Sequence, residues 1–156
     1  IIAEDINYKD LLFDRFELEA NQIKIKFKLT NKELNFKNNP IIKFKLSLSE
    51  DSLKTVLLSK NWSWIGARIS KEILNKEKLE DVKLRNDKLL IKGCKNNMTN
   101  NQAEQINIKA EKGKIYLENK TYNKTIQVPM ENKIYIENIN IENNLIKISA
   151  NSSLSF

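Results

Sequence analysis

The chain has 156 residues, a net charge of +7, no histidine, one cysteine and three glycines. This length is typical of one domain, and we expect residues 1–156 to form a single β-rich domain. The composition excludes a catalytic triad with an imidazole base, an intramolecular disulfide, a Cys/His metal site and glycine-rich nucleotide loops. The positive charge favours an anionic partner but does not specify a fold.

Apolar residues and lysines alternate in the first third of the chain. Residues 23–29 are Ile-Lys-Ile-Lys-Phe-Lys-Leu, and residues 41–48 continue the same alternation. A β-strand directs successive side chains to opposite faces, so each run has one apolar face and one polar face. The pattern predicts strands over 11–20, 23–29, 34–36 and 41–48.

The apolar spacing becomes helical after residue 48. Ser49 precedes two carboxylates, Glu50 and Asp51, which is typical of a capped helix N-terminus. Apolar residues then recur three and four positions apart, with a break near residues 60–61. We predict two short helices, over residues 50–59 and 62–75.

From residue 79 onward, apolar residues again occur at every second position, as in a β-strand. Turn sequences at Asn86-Asp87, at Gly113 and at Asn143-Asn144 separate pairs of alternating runs. The short links favour antiparallel hairpins. We therefore predict an α+β fold, with one long, curled antiparallel sheet and two short helices packed on its apolar face.

The predicted apolar faces define a candidate ligand-binding interior. Its residues belong either to the apolar face of a strand or to a helical stripe, and they are Phe27, Phe44, Leu46, Leu57, Ile65 and Ile69. An interior of this kind binds an acyl chain if it contains a cavity, or forms a solid core if it does not. The sequence leaves these two alternatives open.

The opposite faces define a candidate membrane-docking surface. It comprises Lys24, Lys26, Lys43 and Lys45 together with Trp64, which lies off the helical apolar stripe. Lysines attract anionic headgroups, and tryptophan is enriched at the membrane interface. The alternative is that the lysines form only a solvated face.

The sequence predicts no catalytic residues, no metal site and no cofactor, and therefore a protein that is not an enzyme. Neighbouring carboxylates such as Glu80 and Asp81 would lie on opposite faces of a strand, so they would not converge on a substrate. Nucleic-acid binding is disfavoured because the aromatic residues of the strands alternate with the lysines, whereas a stacking platform needs both on one face.

Three stretches of the chain are similar to the LmeA-like phospholipid-binding family of bacteria, formerly classed as a domain of unknown function. They are residues 12–21 (LFDRFELEAN), 44–53 (FKLSLSEDSL) and 82–93 (VKLRNDKLLIKG), and the run over 139–148 is compatible with the terminal hairpin of that family. One position departs from the family pattern, since Ser52 stands where the family has an aspartate before the helical leucine.

The resemblance implies a tubular lipid-binding fold, in which a curled sheet and a helix enclose the acyl chains of a phospholipid. It also implies a membrane-peripheral protein of the cell envelope, with a cytoplasmic location as the alternative. Because Ile1 is not an initiator methionine, we expect a fragment or processed form without its targeting segment. The competing hypothesis is a structural or protein-interaction domain with a solid core.

Overall fold

The structure is a computed structural model that describes residues 1–8, 11–20, 25–28, 33–36, 41–95, 98–99 and 102–153. It has an α+β fold in which antiparallel strands predominate and two short helices lie between the early and the late strands. The strands are β1 Ile2–Tyr8, β2 Leu11–Ala20, β3 Ile25–Lys28, β4 Glu33–Phe36, β5 Ile41–Leu48, β6 Lys78–Arg85, β7 Lys88–Lys95, β8 Met98–Thr99, β9 Glu104–Glu111, β10 Lys114–Asn119, β11 Lys124–Gln127, β12 Ile134–Glu142 and β13 Leu145–Ser153.

The helices begin and end close to the positions predicted from the spacing of apolar residues, which is helical between residues 50 and 75. Helix α1 spans Glu50–Leu58, and α2 spans Ser63–Arg68 and continues into a π-helical turn, Ile69–Ile73. The Ser49 side chain accepts a hydrogen bond from the Ser52 backbone amide at 3.3 Å, which caps α1 as expected. Both predicted helices are therefore confirmed.

The first sheet has five strands in the order β1-β2-β5-β13-β12. Strand β5 lies at its centre, with Leu46 opposite Phe16 on one side and opposite Ile148 on the other. Directly opposite residues share a face, so these three residues lie on the inner face of the sheet. The pairing of β5 with β13 joins two segments that are about 100 residues apart in the sequence.

The second sheet has the path β11-β10-β9-β7-β6, with β8 paired to β7. Among the residues that the structure describes, β3 and β4 pair with each other in a separate two-stranded sheet. The α+β class and the antiparallel pairing are confirmed, but the prediction of one long, curled sheet is wrong. In the described ranges neither large sheet closes on itself or curls strongly. Alternation in the sequence determines which residues share a face, but it does not determine which strands pair.

The two large sheets and the helices bury one connected apolar core. Ile91 of the second sheet, Ala150 of the first sheet and Ile73 of the π-helical turn are at most 1% exposed and belong to the same cluster. The sheets also meet at two turns with left-handed residues, where Asp87 and Asn144 exchange backbone-to-side-chain hydrogen bonds of 3.3 and 2.9 Å. These contacts join the β6–β7 turn of the second sheet to the β12–β13 turn of the first.

Helix α1 is fixed to both sheets by polar contacts. The Asp14 carboxylate of β2 accepts a hydrogen bond from the Ser49 amide at 2.5 Å, and the Glu50 carboxylate accepts one from the Leu84 amide of β6 at 2.7 Å. One turn further along, Lys54 Nζ lies 2.6 Å from an Asp81 carboxylate oxygen. Strand β6 is the edge strand of the second sheet in the described part of the chain. The Glu50 carboxylate therefore supplies an acceptor for the outward-facing Leu84 amide, which β7 does not bind.

The Asp14–Ser49 contact predicts a stability difference between two substitutions. We expect Asp14→Ala to lower the free energy of unfolding by about 1–3 kcal/mol, because the part-buried Ser49 amide loses its acceptor. Asp14→Asn keeps an acceptor oxygen and serves as the matched control, with a smaller loss. Urea unfolding followed by circular dichroism measures both. Equal stability of Asp14→Ala and the wild type would contradict the assignment.

The Lys54–Asp81 ion pair predicts a pH dependence of stability. The hydrogen bond from Lys54 holds the pKa of Asp81 below its ordinary value of 3.8, and the Val82 amide contributes in the same direction. A carboxylate with a lowered folded pKa stabilises the fold above its unfolded pKa, and this stability is lost as pH falls through the folded pKa. We expect the stability advantage of the wild type over Asp81→Asn to shrink between about pH 5 and pH 2. A constant difference across that range would refute the coupling.

Candidate functional site

The junction between α1 and α2 is a tight turn organised by Ser59. Its amide and hydroxyl both donate to the Val56 carbonyl, at 3.2 and 2.9 Å, and end α1. Its own carbonyl then accepts a hydrogen bond from the Ser63 amide at 2.8 Å, where α2 begins. The turn leaves Leu58 and Trp64 on the protein surface, with exposed fractions of 47% and 46%.

Leu58 and Trp64 flank an open groove of about 310 Å³. Its floor includes the buried Leu57 and Leu79, and its complete lining is Leu57, Leu58, Ser63, Trp64, Ala67, Glu77, Lys78 and Leu79. We name these eight residues the junction groove. Large apolar side chains that are this exposed and this close together are a feature of interaction surfaces.

Gly66 sets the distance between α2 and α1 beneath the groove. A Cβ atom at this position would lie 2.8 Å from the Leu57 carbonyl oxygen and 3.0 Å from a Leu79 methyl group. Only glycine therefore allows α2 to pack this closely on α1 and β6. The close packing fixes the backbone of α2, and with it the position of Trp64 at the rim of the groove.

The segment that contains the junction groove is basic. Residues 58–79 include five basic and two acidic residues. Arg68 pairs with Glu72 at 2.8 Å, while Lys60, Lys71 and Lys78 are exposed. The exposed apolar side chains are thus accompanied in the chain by cations.

The structure brings five of the six predicted interior residues to the core. Leu57 and Ile69 are buried within it, and Phe44, Leu46 and Ile65 are half-buried against it. Phe44 also stacks on Phe16, with 6.4 Å between ring centroids. Phe27 lies in β3, and its side chain falls outside the described residues.

The predicted docking lysines do not lie on neighbouring strands. Lys43 and Lys45 are exposed on β5, whose neighbours are β2 and β13, whereas Lys26 lies in the separate β3–β4 sheet. The side chain of Lys26, and all of Lys24, fall outside the described residues. The expectation that these lysines share the face of adjacent strands is therefore wrong, because β5 pairs with strands distant in the sequence rather than with β3.

The outer face of the first sheet has mixed charge around Lys43 and Lys45. These lysines stand directly opposite Glu19 and Glu17 of β2. Arg15 contacts Glu17 at 2.8 Å, and that hydrogen bond is the main reason why the pKa of Glu17 is lowered. A groove of about 390 Å³ runs along this face, larger than the junction groove, but its lining mixes lysines with glutamates. Neighbouring opposite charges weaken the attraction of this face for anions.

Across the described ranges, no group of three or more acidic, cysteine or histidine residues is placed to bind a metal ion. No helix of the same ranges combines the length and hydropathy needed to cross a bilayer. No family model, curated protein or solved structure matches the chain.

The sequence places Leu58 and Trp64 together at the junction between the helices, but the predicted docking surface included Trp64 and not Leu58. The available signal was that Leu58 follows the helical stripe of Leu53, Val56 and Leu57 without belonging to it. An apolar residue off the stripe of a helix lies on its exposed side unless another element covers it. In the folded chain Leu58 remains 47% exposed.

Proposed function

We propose that this chain is a non-catalytic, membrane-peripheral domain that binds phospholipid at an anionic bilayer surface through the junction groove. The observation that carries the proposal is the pairing of exposed Leu58 and Trp64 around an apolar groove within a basic segment. The groove supplies apolar contacts for the bilayer, and the lysines supply attraction to the headgroups.

General magnitudes make such docking feasible. Each lysine near an anionic surface contributes about 1 kcal/mol, and burial of a large apolar side chain contributes about 1.5–3 kcal/mol. Leu58 and Trp64 with two or three nearby lysines would thus give reversible binding without a closed headgroup pocket. The electrostatic part should weaken with salt, because the screening length is about 10 Å at 0.1 M ionic strength.

The resemblance to the LmeA-like family supports the choice of phospholipid as the ligand and of a bacterial envelope as the location. It also favours a tubular arrangement in which an acyl chain enters the interior. The geometry supports surface binding better, because the interior residues pack together around one core. A groove of about 310 Å³ is at the lower end of the roughly 300–1,000 Å³ typical of ligand pockets, so it suits a headgroup or part of one acyl chain.

The second candidate is a structural or protein-interaction domain without lipid affinity. The connected core that includes Leu57 and Ile69 favours this alternative, since a lipid carrier needs a cavity and a scaffold does not. The junction groove would then be a site for another protein. Vesicle binding separates the two candidates, because only the first requires lipid.

We expect the protein to bind vesicles of phosphatidylcholine and phosphatidylserine at low salt, with a blue shift of its tryptophan fluorescence. Both tryptophans, Trp62 and Trp64, lie at the junction, so the shift reports on this site directly. Trp64→Ser and Leu58→Ser should each weaken binding about tenfold or more, as expected for the loss of at least about 1.4 kcal/mol. Cosedimentation measures the affinity.

Tyr122→Ser is the matched control, because Tyr122 is an exposed aromatic residue, 42% accessible, that does not line the groove. Its affinity for vesicles should equal that of the wild type. Equal binding by all three variants would exclude the junction groove as the docking site. Absence of binding by the wild type at low salt would favour the protein-interaction domain.

A further inference from the structure

A groove of about 340 Å³ lies where the β6–β7 turn, strand β9, the β10–β11 turn and the end of β12 come together. Its polar lining residues are Asp87 and Lys88 from the β6–β7 hairpin, Gln105 and Asn107 from β9, and Lys120 from the β10–β11 turn. We name the groove with these five residues the turn groove. None of the five lines the junction groove, so the two grooves are separate.

The turn groove has two lysines and one carboxylate among its described residues. Lys88 and Lys120 are both exposed, and neither forms an ion pair with a residue that the structure describes. The carboxylate, Asp87, accepts a hydrogen bond from the Asn144 backbone amide at 2.9 Å. The groove therefore has an excess of positive charge and favours an anionic ligand.

The carboxylates of the adjoining strands do not neutralise these lysines. Glu104, at the start of β9, accepts a hydrogen bond from the Tyr122 hydroxyl at 3.1 Å. Glu142, at the end of β12, lies 2.7 Å from Lys147 Nζ, and Glu118 belongs to the neighbouring strand β10. None of these three carboxylates lines the described part of the groove, so its two lysines remain without an acidic partner there.

Two carboxamides complete the polar lining of the groove. Gln105 Nε2 lies 3.5 Å from Asn107 Oδ1, and both residues are on the same face of β9. This contact uses one donor and one acceptor, so the Gln105 oxygen and the Asn107 Nδ2 group can still bind a ligand. Hydroxyl groups both donate and accept hydrogen bonds, so a pair of carboxamides suits them.

The turns that carry the two lysines are fixed by hydrogen bonds within the protein. The β6–β7 turn is bound to the β12–β13 turn through Asp87 and Asn144, at 3.3 and 2.9 Å. The β10–β11 turn is held by the buried Asn119, whose side-chain oxygen accepts a hydrogen bond from the Thr121 amide at 2.9 Å. A site on a fixed backbone loses less conformational freedom when a ligand binds.

We propose that the turn groove binds a phosphate-bearing polyol, with Lys88 and Lys120 at the phosphate and Gln105 and Asn107 at the hydroxyl groups. A phosphate monoester carries about −1.5 to −2 charge at pH 7, which two lysines can balance. The volume of about 340 Å³ is at the lower end of the roughly 300–1,000 Å³ typical of ligand pockets, so it suits one ring. A phosphorylated polyol occurs free in solution or as the headgroup of an inositol phospholipid.

Isothermal titration calorimetry with inositol monophosphate tests the site in the full chain at low ionic strength. Lys88→Gln/Lys120→Gln should bind at least about tenfold more weakly than the wild type, because the phosphate loses both cations. Lys71→Gln/Lys112→Gln is the charge-matched control with wild-type affinity, since both of its lysines are exposed and lie outside the groove. Equal losses in the two variants, or no binding by the wild type, would overturn the proposal.

Gln105→Ala/Asn107→Ala tests the contacts to the hydroxyl groups. This variant keeps both lysines, so it should bind inorganic phosphate as the wild type does. It should bind inositol monophosphate at least about fivefold more weakly, because the hydroxyl groups lose their partners. Wild-type affinity for inositol monophosphate would refute the polyol part of the assignment.

Nuclear magnetic resonance of the wild type locates the site even if a variant fails to fold. Adding inositol monophosphate should shift the backbone amide resonances of Lys88, Gln105, Asn107 and Lys120. The amide resonances of Lys71 and Lys112 should stay in place. Binding with shifts only outside the turn groove would overturn the proposal.

Vesicles distinguish the two sources of the ligand. A lipid headgroup is the ligand if vesicles with phosphatidylinositol bind more tightly than vesicles with the same content of phosphatidylserine, and if Lys88→Gln/Lys120→Gln removes the difference. A free polyol phosphate is the ligand if both vesicles bind equally while inositol monophosphate still binds in solution. Trp64→Ser should keep wild-type affinity for inositol monophosphate, so failure of the junction groove and failure of the turn groove give different results.

Discussion

The position of helix α1 between the two sheets is the constraint on which the rest of the structure depends. Asp14 of the first sheet and Leu84 of the second both bind the start of this helix, through the Ser49 amide and the Glu50 carboxylate. The sheets also meet directly, through the Asp87–Asn144 turn contacts. Because the helix fixes the spacing between the sheets, it also fixes the volume that the core must fill.

The junction groove is a consequence of that placement. Once α1 is fixed beside β6, its C-terminal end lies near the start of that strand, and Leu57 meets Leu79 beneath the groove. The short turn at Ser59 then forces α2 to pack closely, which Gly66 permits. Leu58 and Trp64 remain outside because the core side of each helix is already occupied. The same contacts that close the core therefore leave an apolar surface beside it.

The alternation of residues 41–48 located β5 with its observed bounds, Ile41–Leu48, and the Ser49 cap located the start of α1. Phe44, Leu46, Leu57, Ile65 and Ile69 lie in the core or pack against it, while a role of theirs in ligand binding stays a prediction. The wrong predictions concern which strands pair with each other. Lys26 and Lys43 have similar sequence surroundings, yet they lie in different sheets. Strand β5 pairs with β13 across about 100 residues, whereas in the described part of the chain β3 pairs with β4. Leu58 was left out of the predicted docking surface for a related reason, since its exposure depends on what packs around the junction.

The sequence by itself determined the class of fold and most of the secondary structure, although it did not predict β1, Ile2–Tyr8, or the short β8, Met98–Thr99. These properties depend on local spacing, capping and turn chemistry, which act over a few residues. The tertiary structure alone decided which strands share a sheet, that β3 and β4 stand apart, and that Leu58 and Trp64 meet around one groove. These features depend on contacts between residues that are distant in the chain, and a periodic sequence pattern is compatible with many different strand pairings.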